Sequence, residues 1–246
     1  MTADTLSIAQ KLQAAAQDGD AEAQAVLGQW LLDGRDGSAD PAQAFQWFLK
    51  SAAQQHAMGM NMAGRCHENG WGTPVDFFAA ANWYRQAVRT GLDAAMYNYA
   101  NLLQTGSGVA QDHAGALALY RDAADRGHIK SMTKLGRYYE DGLILEKDDD
   151  AAFFCYREAA LGGDFRGQFS YAGMLAARGQ PEEALQWLAK VPLTATPRYM
   201  AEAGALLLQS PQDEFRRVGQ DMLSKAAGAN TGQITSPIGS SGPAPW

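Results

Sequence analysis

The chain has 246 residues, a formal net charge of −7 and nine prolines. The acidic balance and the lack of any Lys/Arg cluster argue against a nucleic-acid surface, which needs clustered cations to hold phosphates. No apolar run approaches the roughly 20 residues that span a bilayer.

Alanine and leucine dominate and β-branched residues are sparse, a composition that favours helix. The start, MTADTLSIAQ, has no basic segment followed by an apolar stretch, so no secretion signal is expected and the cytoplasm is the simplest location. Cys66 and Cys155 each lack a nearby cysteine, which points to neither a disulfide scaffold nor a zinc site.

In chain order, a capping helix is predicted over residues 5–19. Its stretch Leu12 to Gly19 looks like the second half of the repeat that follows. From residue 20 the chain keeps a 36-residue register. Leu27-Gly28 falls over Ala63-Gly64, Tyr99-Ala100, Leu135-Gly136 and Tyr171-Ala172. Gly34 falls over Gly70, Gly106 and Gly142, and Asp40 over Asp76, Asp112 and Asp148. Ala44 falls over Ala80, Ala116 and Ala152, and Phe48 over Tyr84, Tyr120 and Tyr156. Full repeats are assigned to 20–55, 56–91, 92–127 and 128–163, and degenerate units to 164–192 and 201–228. Atypical terminal units are what a stack of repeats needs to seal its ends.

Each column has a physical reading. Gly28 and its equivalents let a partner helix approach closely. Gly34 and its equivalents end the first helix, where a left-handed backbone is needed. Asp40, Asp76, Asp112 and Asp148 precede Ala-rich amphipathic stretches, and each is expected to cap a second helix for roughly 1 kcal/mol. The aromatic column falls on the second helix and should fill the seam between adjacent repeats.

The order A-x-A-x-x-x-L-G, G-x-G, D-x-x-x-A-x-x-W-Y-x-x-A within one unit closely resembles the Sel1-like repeat, a relative of the tetratricopeptide repeat. Repeat two carries it as Gly70-Trp71-Gly72, Asp76 to Ala80 and Trp83-Tyr84. Repeat one has Gly34 and Gly37 in place of a tight G-x-G, and repeat four lacks the second glycine. The resemblance implies an all-α fold, a right-handed α-solenoid superhelix of antiparallel helix pairs. It also implies an adaptor role, an inference from fold alone.

Candidate chemistry is sparse. His56 and His128 share a column with Asp20 and Asp164 ahead of the first helix, where a cap is a better reading than a ligand or base. The run Asp148-Asp149-Asp150 suits a helix start, where negative charge is favoured, better than a metal cluster. Met60, Met96 and Met132 share a column and read as core. Disulfide-stapled relatives rely on cysteine pairs within each repeat. Here the two cysteines lie two repeats apart, on the order of 20 Å for stacked helices, against the ~7 Å a disulfide needs. Two free thiols are expected, and neither a cofactor nor a metal.

By resemblance, the first helices line a concave face. The residues carried over to it are Asn61, Arg65, Glu68 and Asn69 in repeat two, and Tyr97, Asn98, Asn101 and Gln104 in repeat three. Repeat four supplies Lys130, Lys134, Arg137 and Glu140, and the fifth unit Arg166 and Phe169. This face reads as a solvated polar surface, an extended-peptide groove or a partial carboxylate clamp, with Arg65, Lys134 and Arg137 as carboxylate partners. The expected function is a non-catalytic scaffold for a protein or extended peptide. The alternatives are a small-molecule hydrolase on the same repeats and a regulatory subunit using its convex face. Residues 229–246, rich in Gly, Ser and Pro, read as a flexible arm whose Trp246 is a candidate pseudo-ligand for a groove.

Overall fold

In the computed structural model, residues 3–35 and 37–231 are described. Among them are thirteen α-helices, one 3-10 turn and no strand. Contacts divide the chain into two compact units, Met1–His128 and Ile129–Trp246. The first holds α1 (Ala3–Gln17), α2 (Ala21–Leu32), α3 (Pro41–Ala53), α4 (Ala57–Asn69), α5 (Phe77–Val88), α6 (Asp93–Thr105) and α7 (His113–Asp125). The second holds α8 (Ile129–Asp141), α9 (Asp149–Leu161), α10 (Phe165–Ala177), α11 (Pro181–Leu188), the 3-10 turn Val191–Leu193, α12 (Pro197–Leu207) and α13 (Asp213–Thr231).

Helices pair as the period predicts. In the first unit α2 packs on α3, α4 on α5 and α6 on α7, and the pairs are joined by α3 on α4 and α5 on α6. In the second, α8 packs on α9, α10 on α9 and α11, and α12 on α13.

The aspartate column caps the second helices. Asp40 accepts from the Gln43 N–H at 2.9 Å, Asp76 from Ala79 at 2.9 Å, Asp112 from Gly115 at 2.8 Å and Asp148 from Ala151 at 2.9 Å. The column before the first helices also caps. Asp20 accepts from Ala23 at 2.8 Å, Asp164 from Gly167 at 2.9 Å, and His56 Nδ1 takes the same place opposite Gly59 at 3.4 Å. Leu92 occupies this column ahead of α6 with no side-chain bond, and packs instead against the apolar cluster of Met60, Ala87 and Ala95. First helices end at glycines in the left-handed region, with φ 73° at both Gly70 and Gly106.

The aromatic column is the hub of the packing. Phe48, Tyr84 and Tyr120 are completely buried and Tyr156 nearly so. Each ring lies on the first helix of its own pair: a Cβ on Gly64 would stand 2.6 Å from the Tyr84 ring, and one on Gly28 2.6 Å from Phe48. Glycine permits that approach at Gly28 and Gly64, while Ala100 holds the column in repeat three. Phe48 also shares a cluster with Met62, Ala63 and Cys66 of the next repeat, so the ring fills the seam as well. Of the methionine column, Met60 and Met96 are buried and Met132 is half-buried.

The end units depart from the period. α10 and α11 are separated by three residues, and the core there gathers Tyr171, Leu175, Leu188, Val191, Met200, Phe215 and Met222. α13 runs to Thr231, past the expected solenoid end at residue 228. The rest of the arm, including Trp246, lies outside the described residues.

Candidate functional site

The residues expected to line a groove fall into two groups. The first is spent inside the fold. Asn61, expected to face outward, is buried at 3% exposure and accepts a 2.9 Å hydrogen bond from the Asn98 amide. Glu68 accepts from the Tyr84 hydroxyl. Tyr120 donates to Asn101 at 2.7 Å and approaches Gln104 Oε1 at 3.1 Å. Glu140 accepts from Tyr156 at 2.6 Å. Residues 68, 104 and 140 are one column, and the tyrosines sixteen residues later are another. Repeat one lacks both halves: Phe48 has no hydroxyl, and Leu32 stands where Glu68 does and joins the apolar cluster around Phe48. Asn69 turns back to the Arg65 carbonyl at 2.9 Å, and the Tyr97 ring meets those of Tyr120 and His128 at tilted angles, with centroids 6.0 and 5.0 Å away. Tyr84 and Tyr156 are both raised above the ordinary phenol range, by burial first and then by the carboxylate each one meets.

The second group presents charge. In the first unit the Arg65 guanidinium lies 5.0 Å from the Trp71 ring centre. Trp71 is the middle residue of the G-x-G turn, a position the column reading passed over. In the second unit Arg166 lies 4.5 Å from the ring of Phe165 and 5.4 Å from that of Tyr199, and Phe169 meets Tyr199 edge-on at 6.1 Å. A guanidinium held over ring faces gains cation–π attraction and keeps its fork available. Lys134 is lowered from the ordinary lysine range by burial and by the nearby charges of Arg137 and Arg166. Arg137 is exposed and pairs loosely with Asp141 at 3.6 Å; Lys130 is half-exposed on the same helix. Tyr199 is pushed up to about 12 by burial, with Arg166 and Arg137 opposing. Tyr199 sits in a unit with no clear period, so nothing in the repeat register points to it.

The remaining candidates are structural. Asp148 caps α9, Asp149 pairs with Lys147 at 3.3 Å and Asp150 with Arg178 at 2.7 Å. His67 lies edge-on to Phe45 at 5.2 Å. Cys66 and Cys155 are buried free thiols, pushed up to about 12 and about 11 by burial. No group of three metal-ligating side chains occurs among the described residues, and no described helix is long and apolar enough to cross a membrane.

Glycine-ended first helices, aspartate-capped second helices and a ring column packed on glycine define an α-solenoid of helix-pair repeats. The Sel1 repeat model matches residues 21–56, 57–91, 93–128 and 129–164, more than half of the sequence, and the chain belongs to the Sel1 repeat family.

Among solved structures, a Sel1 repeat protein from Oxalobacter formigenes is similar at 25% identity and TM-score 0.74, covering 92% of this chain and 98% of that one. A protective antigen of uropathogenic Escherichia coli with the same repeat fold is similar at 25% identity and TM-score 0.68. That match covers 90% of this chain, which spans only 48% of the antigen's length. An immunity protein from Pseudomonas aeruginosa shares the fold at 13% identity and TM-score 0.57, with 85% and 81% of the two chains covered. No curated protein matches the sequence significantly.

Proposed function

We propose that the chain is a non-catalytic scaffold that binds a protein or extended peptide on the faces of its first helices. The observation that carries this reading is the pair of aromatic-backed arginines, Arg65 over Trp71 on α4 and Arg166 over Phe165 and Tyr199 on α10. Sel1 repeats commonly serve in protein interaction, which supports the class of function. The asparagines and glutamates of the same helices are bonded within the fold, so recognition falls to cations and rings and away from amide contacts with a peptide backbone.

The test is affinity capture from source cells with wild type and with Arg65→Glu and Arg166→Glu variants, read by mass spectrometry. A partner held by wild type and lost with either variant supports the reading. A partner retained by both moves the interface to the second helices, where Phe154 and Leu161 are 56% and 64% exposed seven residues apart on α9. No partner at all counts against a scaffold.

A further inference from the structure

One face of α10 carries two different binding chemistries in line. Arg166, Phe169, Gly173 and Ala177 follow at helical spacing, so their side-chain positions lie along a single stripe. At the N-terminal end is the arginine described above, exposed and held over Phe165 and Tyr199. At the other end is a cleft of about 450 Å³, lined by Phe169, Gly173, Ala177, Leu188, Leu207 and Phe215. Phe169 belongs to both, because its ring also meets Tyr199. A Cβ placed on Gly173 would meet nothing within 4 Å, so the helix is open to the cleft there. Leu206, at the same cleft, is 59% exposed, a large apolar side chain left in water.

The charge around the stripe runs against the acidic chain. Arg137 and Arg166 both act on Tyr199 and on Lys134, so three cations on α8 and α10 lie near one another. Arg198 on α12 is taken by Glu202 at 3.0 Å, and Asp164 is buried in its own bonds to Gly167 and Thr133. Such a cluster attracts a carboxylate, and an aromatic-backed arginine is the group best shaped to grip one.

The separation of the two ends sets a spacing. Arg166 and Gly173 are seven residues apart, roughly 10 Å along a helix at about 1.5 Å per residue. An extended segment covers that distance in about three residues at about 3.3 Å each.

We propose that this face of α10 docks an extended segment of a partner protein bearing an acidic residue about three positions from a bulky apolar one. The carboxylate sits on Arg166, flanked by Arg137, and the apolar side chain enters the cleft beside Gly173. This rests on the scaffold reading above and names what one of its faces selects.

The experiment is fluorescence anisotropy of the full chain with labelled Gly/Ser peptides carrying Glu-x-x-Trp or Trp-x-x-Glu. Control peptides replace Glu by Lys, or place Glu next to Trp. Gly173→Leu fills the cleft from a position where a Cβ meets nothing within 4 Å, and Arg166→Glu reverses the charge; melting curves of both verify that the variants fold. Binding of one of the two orientations is expected, at least tenfold weaker with either variant and with the Lys or adjacent control. The proposal is overturned by no binding up to about 100 µM protein, or by binding indifferent to Gly173→Leu or to the Glu-to-Lys change. If the peptides fail while captured partners still depend on Arg65 or Arg166, this specificity falls and the scaffold reading stands. If capture depends on neither arginine, the first-helix faces fall as the binding surface along with this specificity; if nothing is captured, the scaffold reading falls as well.

Discussion

The hydroxyl of Tyr156 donates to the carboxylate of Glu140 across 2.6 Å, tying the second helix of one repeat to the end of its first. Tyr84 does the same to Glu68, and Tyr120 to Asn101. Repeat one has neither partner, only Phe48 and Leu32. The pair is therefore kept or dropped as a unit. Tyr156→Phe is expected to cost about 1.5–3 kcal/mol, the worth of a hydrogen bond to a charged acceptor. Phe48→Tyr alone should also destabilise, by about 1–3 kcal/mol for a buried hydroxyl without a partner. Adding Leu32→Glu should recover part of that loss. Urea unfolding of the three variants measures it, and strict additivity of the double variant would contradict a paired role.

Gln55 holds φ 59°, the only non-glycine residue among those described in the left-handed region. Its column equivalents are Gly19, Gly91, Gly127 and Gly163, all with positive φ. The side chain is exposed. Gln55→Gly should therefore stabilise by roughly 0.5–1 kcal/mol, left-handed strain outweighing the extra freedom of the unfolded glycine. A fall in the urea midpoint would show that the glutamine does more than turn the chain.

The two thiols and Tyr199 set an alkaline limit. Burial raises Cys66 to about 12, Cys155 to about 11 and Tyr199 to about 12. The folded state then holds protons that the unfolded chain gives up near pH 9 for the thiols and near pH 10 for the phenol. Stability is intact below those values and falls as pH rises through them toward about 11–12. Urea midpoints at pH 8 and pH 10.5 should differ in that direction. At pH 8 both thiols should react with a disulfide reagent only after unfolding; fast labelling of the native chain would contradict their burial.

Gly72, the second glycine of the G-x-G turn, holds φ 70°, and a Cβ there would overlap the Pro41 carbonyl. The obstacle is backbone and cannot swing away. Gly72→Ala should cost at least about 2 kcal/mol, from strain and displacement together. Thermal unfolding beside Gly163→Ala, which holds φ 85° with nothing within 4 Å of a Cβ, separates the two contributions.

Much of the fold was legible because its causes repeat. The Gly70 and Gly106 helix ends, the Asp40 to Asp148 caps and the buried rings each recur at one interval, and each has a local cause visible in the residue type. The candidate site was legible only in part. Asn61 lies one turn from Arg65 on α4 and Asn101 holds the column of Arg65 on α6, yet bonds to Asn98 and Tyr120 remove them from recognition. Those bonds link residues 37 and 19 apart, across helices, where spacing within one helix says nothing. Tyr199, Gly173 and the apolar cleft belong to end units whose period has decayed, so only packing reveals them. Glutamine at position 55 hides a turn that glycine announces elsewhere.

The seating of Gly72 on Pro41, and of Gly108 on the backbone of Phe77, gives the stack a direction. Both of these turns are moulded on the second helix of the repeat before them. A chain made from its N-terminus has that mould in hand before the segment that needs it is synthesised, at about 5–20 residues per second. The first unit is thus suited to assembly in the order of its own translation, each repeat the template for its successor.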